Sequence, residues 1–272
     1  MRSADHRAWS PAIEAAPGAR GEPRMERLPA HPPLLKGKLG QLRYAARVLR
    51  SLGGIHPRHC PCCGYAGKFR AFGFPPRFDA ECPACGALER HRLFVLVTGD
   101  ADLVTRHKDV LHIAPERPLR GFLRARARTY VTADLAAADV DRQENIEALT
   151  IADAQFDVVV CSHVLEHVDD ARALGELRRV LRDRGIVICM VPIIEGWDAT
   201  YEDASVRSPA TRDLHFGQHD HVRFYGQDFR ARLGAAGFRV DEFTATGPLC
   251  VKYGLLRGEK VFVCTKIDAG LA

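Results

Sequence analysis

The sequence lacks several features that would assign it to other classes of protein. None of its apolar runs reaches the roughly 18 residues that a membrane-spanning helix needs. Its N-terminal stretch is rich in Arg, Pro and Ala and has no continuous apolar segment of the kind found in secretory signals. Aromatic residues make up only 8% of the chain, which is little for a protein that stacks nucleic-acid bases. These absences favour a cytoplasmic protein with no membrane partner.

A glycine-rich turn is also missing where nucleotide-binding α/β proteins have one. Residues 109–123 (DVLHIAPERPLRGFL) predict a strand, a turn and a helix, and the turn is Ala-Pro-Glu-Arg-Pro. A proline offers no N–H to a phosphate, and an acidic side chain repels one. The turn therefore argues against a ligand held by its phosphates, and against an NAD-dependent oxidoreductase.

The positive charge is concentrated at the N-terminus. Residues 1–58 contain eleven Lys or Arg and four Asp or Glu, a net charge of +7, which leaves −2 of the total +5 for the remaining residues. A nucleic-acid surface would therefore have to lie on the N-terminal arm. The simpler alternative is a solvated arm followed by a basic helix.

The chain of 272 residues is long enough for one large α/β domain and a smaller module. Residues 1–33 contain six prolines and no apolar periodicity, which predicts a disordered tail. Apolar residues then recur at helical spacing, at Leu35, Leu39, Leu42, Ala46 and Leu49. We predict an amphipathic helix over residues 34–55, ended by Gly53 and Gly54.

Two Cys-Pro-x-Cys-Gly motifs follow, with 18 residues between the second cysteine of the first motif and the first cysteine of the second. Four thiolates in two Cys-x2-Cys pairs suit tetrahedral zinc, and the glycine after each pair lets backbone N–H groups turn toward sulfur. We predict a structural zinc module with four cysteine ligands over residues 56–92, the ligands being Cys60, Cys63, Cys82 and Cys85. Cys62 is a bystander, and an iron–sulfur or redox role is the alternative. Four protein ligands close the metal's coordination shell, so the ion would stabilise and not catalyse.

The module also carries five aromatic residues, Tyr65, Phe69, Phe72, Phe74 and Phe78. Because a small module needs apolar side chains of its own, we predict that these five residues form its core. Stacking on RNA bases is the alternative.

Strands and helices alternate over residues 93–268, which we predict to be the large domain. Six candidate strands cover residues 110–113, 129–133, 156–161, 185–191, 238–243 and 260–265. Apolar runs such as FDVVVC and GIVICMV are typical of a mostly parallel sheet covered on both faces. Ligands of such sheets bind at the carboxyl ends of the strands.

Polar residues stand at two of these strand ends. Asp134 follows the second strand, 18 residues beyond Glu116, where an acidic residue commonly binds both ribose hydroxyls. A helix N-cap is the alternative for Asp134. Asn145 and Ile146 lie in the next connection, in a position to contact a base, although a simple turn explains Asn145 nearly as well.

Residues 161–168 (CSHVLEHV), with FDVVV before them and ELRRVLRDRGIVI after them, resemble class I S-adenosylmethionine-dependent methyltransferases, in particular the methyltransferase type 11-like group. The order CPxCG, CPxCG, ERHR, LHIAPE, LEHV, over about residues 58–266, resembles methyltransferases with an N-terminal zinc-knuckle module. Asp183 and Arg184 stand where this group usually has Pro and Gly, and LHIAPE replaces its glycine-rich turn. The resemblance implies an α/β fold with a doubly wound, mostly parallel seven-stranded sheet of the Rossmann-like methyltransferase type.

The resemblance also implies a binding site for S-adenosylmethionine. Glu116 would pair with the methionyl ammonium, Asp134 would bind the ribose, Asn145 and Ile146 would lie near the adenine, and His163 would lie next to the sulfonium. The cofactor has no phosphate, so a turn that repels ATP or NAD still accepts it.

Histidines are concentrated after the strand predicted at residues 185–191, in residues 213–226 (DLHFGQHDHVRFYG). This segment commonly covers the methyl acceptor in doubly wound methyltransferases. We predict that His219 or His221 acts as the base and that Arg223 helps to place an anionic or polar acceptor. Two alternatives are a second metal site and a structural loop capped by Asp220.

Three other polar positions are interpreted as structural. His167 in VLEHV is predicted to pack against the following helix, and His112 to be a hydrogen-bonded interior residue. The stretch ERHRLF, residues 89–94, is predicted to be a charged helix start.

The function that the sequence predicts is methyl transfer from S-adenosylmethionine to an O or N atom of a small molecule, sugar or peptide. RNA methylation is the alternative among enzymes, with the zinc module and basic arm binding the RNA backbone. A third possibility is a non-catalytic protein that keeps the fold and uses zinc and cofactor for assembly.

Overall fold

The computed structural model describes three stretches of the chain, residues 38–100, 103–104 and 107–267. The chain divides into two compact units, residues 1–50 and 51–272. Across the described stretches, no helix combines the length and the apolar character that crossing a membrane requires.

The predicted N-terminal helix is present as α1 (Lys38–Ser51). The predicted tail, residues 1–33, and the first residues of the predicted helix, 34–37, lie outside the described residues. Helix α1 ends four residues before the predicted boundary because Gly53 and Gly54 follow it. Gly54 has a φ of +102°, which favours glycine, and a Cβ there would collide with the carbonyl oxygen of Phe69.

The cysteine-rich segment forms two small antiparallel hairpins. Its strands are β1 (Pro57–His59), β2 (Ala66–Lys68), β3 (Arg70–Phe72) and β4 (Arg77–Glu81). We call residues 56–92 the four-cysteine module. One Cys-Pro-x-Cys-Gly turn follows β1 and the other follows β4, so the hairpins bring the two turns together.

The predicted aromatic core of the four-cysteine module is wrong for three of its five members. Phe69 is completely buried and Tyr65 packs beside the same small cluster. Phe72, Phe74 and Phe78 are exposed instead. The reason is the small size of the module, because hairpins with strands of three to five residues enclose little volume besides the four cysteines.

The boundary predicted at residue 92 falls inside a helix, α2 (Glu89–Asp100). Leu93 and Phe94 of this helix are buried in the core of the large domain. Arg92 is completely buried, and its guanidinium donates to the carbonyl oxygens of Ala87 and of residues 253 and 254. Helix α2 therefore belongs to both parts and fastens the four-cysteine module to the large domain.

The large domain alternates strands and helices. Its first half contains β5 (Asp109–Ile113), α3 (Arg117–Arg126), β6 (Thr129–Asp134), β7 (Arg142–Gln143), β8 (Phe156–Ser162), a 3₁₀ turn (Leu165–His167), α4 (Asp170–Val180) and β9 (Leu181–Met190). Its second half contains β10 (Tyr201–Glu202), α5 (Pro209–Phe216), β11 (Arg223–Phe224), α6 (Phe229–Ala235), β12 (Phe238–Thr244), α7 (Gly247–Tyr253) and β13 (Lys260–Lys266).

Seven of these strands form one sheet, in the order β12-β13-β9-β8-β5-β6-β7. All neighbours pair in parallel except β13, which runs antiparallel to both β9 and β12. The predicted doubly wound, mostly parallel seven-stranded sheet is confirmed. The six candidate strands are all present, and the seventh, β7, has only two polar residues and so gives no strand pattern in the sequence.

Alternate residues of the central strands enter different hydrophobic clusters. Leu111 and Val159 pack on one face of the sheet, and Val110 and Val158 pack on the other. Both faces are covered, which is why these strands are continuously apolar. The covered faces leave no room for a ligand, so a ligand can reach β5, β8 and β9 only at the ends of these strands.

Candidate active site

A cavity of about 360 Å³ opens at the carboxyl ends of the central strands. It is lined by Ala114, which follows β5, by Ser162 and His163 at the end of β8, and by Pro192, which follows β9. Because β8 lies between β5 and β9, three neighbouring strand ends contribute to one space. Open α/β sheets bind their ligands at this edge. We call this space the strand-end cavity.

The turn after β5 brings Glu116 to the strand-end cavity. Ala114 has a φ of +46°, which is uncommon for a residue with a Cβ, and its N–H donates to the carbonyl of Ala133 (2.8 Å). Glu116 is the N-cap of α3 and has an extended backbone, with Pro118 in the first turn of the helix. The Glu116 side chain does not cap the helix, so its carboxylate is available to the cavity.

One oxygen of the Glu116 carboxylate is firmly held by α2. Its Oε1 lies 2.7 Å from Nε and Nη2 of Arg90 and 2.8 Å from Nε2 of His91. His91 presents Nε2 because its Nδ1 accepts the N–H of Leu88 (3.0 Å). The other oxygen, Oε2, is buried and accepts no hydrogen bond from any residue that the structure describes.

Glu116 is ionised in spite of its burial. Desolvation by burial raises the pKa of its carboxyl, but the hydrogen bond from His91 and the positive charge of Arg90 outweigh burial and lower the pKa to about 2. A fixed negative charge with one free oxygen therefore faces the strand-end cavity. Such a group suits a cationic ligand.

Asp134 ends β6, one strand further along the same edge of the sheet. Its Oδ1 accepts the N–H groups of Ala136 and Ala137, both at 2.8 Å. Residues 135–141 connect β6 to β7 and contain no helix, so these bonds close a local turn and the helix N-cap alternative does not apply; they hold one carboxylate oxygen in a fixed position. Asp134 does not line the strand-end cavity itself.

Asn145 and Ile146 lie beyond β7 and are also outside the strand-end cavity. The Asn145 side-chain oxygen accepts the N–H of Glu147 (3.0 Å), which is the turn that the sequence left open as an alternative. Asn145 is exposed, whereas Ile146 is buried in the core. The structure therefore gives Asn145 a local partner and an accessible position.

His163 lies in the wall of the strand-end cavity. Its φ is +54°, and its N–H donates to the carbonyl of Met190 (2.8 Å). The ring Nδ1 lies 3.3 Å from Oε1 of Glu166, and the ring Nε2 is buried and has no hydrogen-bond partner among the described residues. A left-handed backbone for a residue with a Cβ carries strain that is frequent at functional sites.

Glu166, His167 and His221 form a second polar group in the same cavity. The ring centroids of the two histidines are 4.7 Å apart, and the rings are nearly perpendicular to each other. Burial, and then the neighbouring His167, lower the pKa of His221. The sequence pattern did not single out Glu166 and favoured a structural role for His167, because nothing in it predicts that the 3₁₀ turn faces the loop before β11.

The two histidines proposed as bases are not equivalent. His221 is partly buried and lines the strand-end cavity, whereas His219 is exposed and does not. A third histidine of the segment, His215, lies with its Nδ1 2.6 Å from the hydroxyl of Tyr201. Of the two candidates, only His221 reaches the cavity.

The role predicted for Arg223, placing the acceptor, needs correction. The Arg223 side chain is buried, and its guanidinium donates to the carbonyls of Leu165 (3.0 Å) and Val168 (2.6 Å) and to Glu202 (2.9 Å). Arg223 is not among the residues that line the strand-end cavity. It fixes the 3₁₀ turn that carries Glu166, because a buried guanidinium must find acceptors for its N–H groups.

The four predicted zinc ligands come together in the four-cysteine module. The sulfur atoms of Cys60, Cys63, Cys82 and Cys85 all lie within 4.8 Å of one another. The N–H of Gly64 donates to the Cys60 carbonyl and that of Gly86 to the Cys82 carbonyl, and both glycines have a positive φ. Cys62 is outside the group of four. The donor set and its close grouping suit a tetrahedral zinc ion.

A larger cavity of about 580 Å³ lies between the four-cysteine module and α7. Two of its three arginines have carboxylate partners, Arg58 with Asp79 and Arg77 with Glu89, and one buried atom of its lining, Nε of Arg58, has no hydrogen-bond partner among the described residues. The strand-end cavity holds six such atoms, which belong to Glu116, Ser162, His163, Glu166 and His221. We therefore place the chemistry in the strand-end cavity, despite its smaller volume.

Comparison with known families gives one match. Residues 102–189 match the family described as "Methyltransferase domain", about a third of the chain. Among curated proteins, the chain is similar to the uncharacterized protein MJ0638 of Methanocaldococcus jannaschii, with 47% identity over 47 residues, which is 17% of this chain and 21% of that protein. The chain thus matches about a fifth of the length of that relative.

Several solved structures are similar at low identity. One is the 1,6-didemethyltoxoflavin-N1-methyltransferase of Burkholderia thailandensis with S-adenosylhomocysteine bound (18% identity, TM-score 0.45, 64% of this chain and 76% of that chain). Another is described as a "putative S-adenosylmethionine dependent methyltransferase" of Listeria monocytogenes (16% identity, TM-score 0.43, 62% of this chain and 95% of that chain). Neither likeness identifies a substrate.

Proposed function

The chain carries a methyltransferase domain with the class I sheet order, and from this premise we propose that it transfers a methyl group from S-adenosylmethionine to an O or N atom of a small molecule, sugar or peptide. The observation that carries the proposal is the carboxylate of Glu116. It is half-buried and ionised, and it faces the strand-end cavity with one buried oxygen unpaired among the described residues. The methionyl end of the cofactor carries the ammonium that such an oxygen requires.

The remaining cofactor contacts follow the edge of the sheet. Asp134 is held one strand away from Glu116 and would accept the ribose hydroxyls with the carboxylate oxygen that the turn does not use. Asn145 and Ile146 would lie at the adenine, and His163 would lie beside the sulfonium. Glu116, Asp134 and Asn145 follow or end the neighbouring strands β5, β6 and β7, and His163 follows β8 on the other side of β5.

S-adenosylmethionine supplies an electrophilic methyl group, and the protein has to align an acceptor with it and exclude water. His163 and His221 line the cavity from two different segments, the end of β8 and the loop before β11. We assign His221 the task of accepting a hydrogen bond from the O–H or N–H of the acceptor. His219 has no such task because it lies outside the cavity.

The proposal includes a structural zinc ion bound by Cys60, Cys63, Cys82 and Cys85. Their four sulfur atoms would complete the coordination shell of a tetrahedral ion and would leave no position for substrate. The ion would hold the two hairpins of the four-cysteine module, and through α2 it would fix Arg90 and His91 on Glu116.

Calorimetric titration with S-adenosylhomocysteine tests the cofactor site. We expect binding by the wild type and affinity weakened by about 10- to 100-fold in Glu116→Gln, since a charged hydrogen bond contributes about 1.5–3 kcal/mol. Asp134→Asn should weaken binding in the same direction. Glu242→Gln and Asp139→Asn are matched controls outside the cavity. A wild type that binds no ligand, or a Glu116→Gln variant that binds as the wild type does, would overturn the proposal.

RNA methylation is the second candidate, and one observation favours it. Phe72, Phe74 and Phe78 are exposed on the four-cysteine module, and Arg77 lies over the ring of Phe72 at 5.9 Å. Aromatic and Arg side chains of this kind stack on unpaired bases. RNA binding that weakens with salt and in Phe74→Ala would favour this candidate over a small acceptor. Transfer of labelled methyl groups to any acceptor would exclude a purely non-catalytic protein.

A further inference from the structure

We propose that Glu166, His167 and His221 bind one divalent transition-metal ion, at a site distinct from the four-cysteine module. The three side chains come from two segments, the 3₁₀ turn after β8 and the loop before β11. One carboxylate oxygen and two imidazole nitrogens form a donor set that suits zinc, manganese, iron(II) or cobalt, whereas the thiolates of the four-cysteine module select softer ions.

The three side chains are close enough for a shared ion. Their ligand atoms all lie within 4.8 Å of one another. Three ligands with bonds of about 2.0–2.2 Å to one ion lie about 3.3–3.8 Å from one another. The ligand atoms must therefore approach one another by up to roughly 1.5 Å to complete the site, which rotation of the histidine and glutamate side chains can supply.

Buried polar atoms in this group have no hydrogen-bond partner. Glu166 is only 1% exposed, yet neither of its carboxylate oxygens accepts a hydrogen bond from a described residue. Nδ1 of His221 is buried and unpaired as well among those residues. His163 Nδ1 lies 3.3 Å from one Glu166 oxygen and leaves the other alone. Buried carboxylates are normally paired or coordinate a metal, so these unpaired atoms suit a bound cation.

The surroundings hold the ligands in position. His167 Nδ1 lies 3.3 Å from the Asp220 carboxylate, which leaves its Nε2 for an ion, as is usual for histidines that bind metals. The loop and the 3₁₀ turn are joined by a hydrogen bond from the N–H of Val222 to the Glu166 carbonyl (2.9 Å). Arg223 holds the same turn through the Leu165 carbonyl. The backbone on both sides is therefore fixed relative to the site.

Three protein ligands leave at least one coordination position open, as in catalytic metal sites. All three ligands line the strand-end cavity, so the open position lies where a methyl acceptor would be held. This part of the inference rests on the proposed function and changes one step of it, because a metal-bound imidazole has no nitrogen left to accept a hydrogen bond and the ion takes over the task assigned to His221. An acceptor hydroxyl bound to the ion would lose its proton to water more readily, and its oxygen would then form the bond to the methyl carbon while the sulfonium sulfur keeps the electrons of the broken S–C bond.

Metal titration tests the site without activity. Zinc-loaded protein is freed of excess metal and titrated with Mn²⁺, and free Mn²⁺ is followed by electron paramagnetic resonance. Mn²⁺ prefers oxygen and nitrogen donors and leaves the thiolate site to zinc. We expect one Mn²⁺ per wild-type chain, and affinity weakened at least tenfold in both Glu166→Gln and His221→Asn. His219→Ala, two residues from His221 and exposed, should bind as the wild type does.

Zinc content and circular dichroism of each variant show that a lost site is not a lost fold. A wild type that binds no Mn²⁺ and no Co²⁺ overturns the inference, as does undiminished binding in both variants. Titration with S-adenosylhomocysteine separates the two proposals. Cofactor binding without metal binding refutes the metal site alone, and metal binding without cofactor binding refutes the proposed function while the metal site stands.

Discussion

The four-cysteine module and the strand-end cavity both gather ligating side chains, but in opposite ways. In the module, four sulfur atoms from two short turns face one another, and the turn glycines hydrogen-bond back to the cysteine carbonyls. In the cavity, Glu116, Glu166 and His221 each present at least one buried atom without a partner among the described residues. The module closes on itself, and the cavity stays open to a ligand.

This difference indicates that the four-cysteine module serves stability and that the strand-end cavity serves ligand binding. A closed tetrahedral shell stabilises the fold that forms it, because the ligands meet only when the hairpins are in place. Unpaired buried groups cost stability and persist where a ligand completes them. Changes in the module should therefore destabilise the protein, and changes in the cavity should weaken binding while leaving stability equal or higher.

The largest effect is expected from Cys82→Ser, which removes a completely buried ligand. Loss of a structural zinc ion removes roughly 10 kcal/mol of binding free energy from the module. We expect loss of one zinc per chain, rapid proteolysis of residues 56–92 and a Tm lower by on the order of 10 °C. Cys62→Ser is the matched control and should keep its zinc. Equal loss in both variants would mean that the ligand set is different.

The next largest effect concerns Arg223, which lies close to the cavity but serves stability. Arg223→Met leaves the Val168 carbonyl unpaired, removes one of the two donors to the Leu165 carbonyl, which keeps the Tyr225 hydroxyl, and removes one partner of Asp170. Arg232 still pairs with Asp170, so we expect the free energy of unfolding in urea to fall by about 2–3 kcal/mol, less than is typical for a fully orphaned charge. S-adenosylhomocysteine should bind with unchanged affinity. Normal stability with altered acceptor binding would instead support the prediction that Arg223 helps to place the methyl acceptor.

A pH-dependent effect is expected at Glu259, which lies within electrostatic reach of both regions. Burial raises the pKa of its carboxyl to about 7, Glu89 acts in the same direction, and His163, Arg90 and Arg77 oppose them. Because the folded pKa is above the unfolded value, Glu259 favours folding below about pH 4.5, and this contribution is lost as the pH rises toward 7. Glu259→Gln should therefore stabilise the protein by on the order of 2 kcal/mol more at about pH 8 than at about pH 5.5. Chemical denaturation at the two pH values measures the difference, and a pH-independent difference would place Glu259 in contact with solvent.

The smallest expected effect is on the stability of Glu166→Gln, and it tests directly whether the strand-end cavity is built for a ligand. Glu166→Gln replaces a buried carboxyl group, whose oxygens accept no hydrogen bond from the described residues, with an amide, so the metal-free variant should be more stable than the metal-free wild type by about 1 kcal/mol. Excess Mn²⁺ should reverse the order, because it stabilises only a protein that binds it. Thermal unfolding with and without the metal measures both. A metal-free variant that is less stable than the wild type would show that Glu166 is satisfied within the fold.

Much of the architecture could be predicted from local patterns. The apolar runs predicted all six long strands of the sheet, and only β7, two polar residues long, escaped. The prediction that the stretch ERHRLF begins a charged helix agrees with the start of α2, but it did not include the contacts that this helix makes. Arg90 and His91 bind Glu116 from about 25 positions away in the chain, and no periodicity encodes such a contact.

Some predictions of site residues were correct and others were not, because the role of a side chain depends on contacts with residues distant in the chain. Glu116 was singled out by its place in the turn after a strand, and the structure puts it in the strand-end cavity. Arg223 was singled out by its charge, and that charge is paired with backbone carbonyls and Glu202. Glu166 was passed over, although it is the most buried acid of the cavity.

The four clustered cysteines and the alternation of strands and helices could be recognised without coordinates, because both depend on neighbours a few residues apart. The sequence alone could not predict which polar side chains lie in the same cavity, because that depends on contacts between distant segments. Glu166 and His221 are far apart in the chain, and they meet because β8 ends beside the loop that precedes β11. Their proximity depends on the order of strands in the sheet, which is established only when the whole core packs.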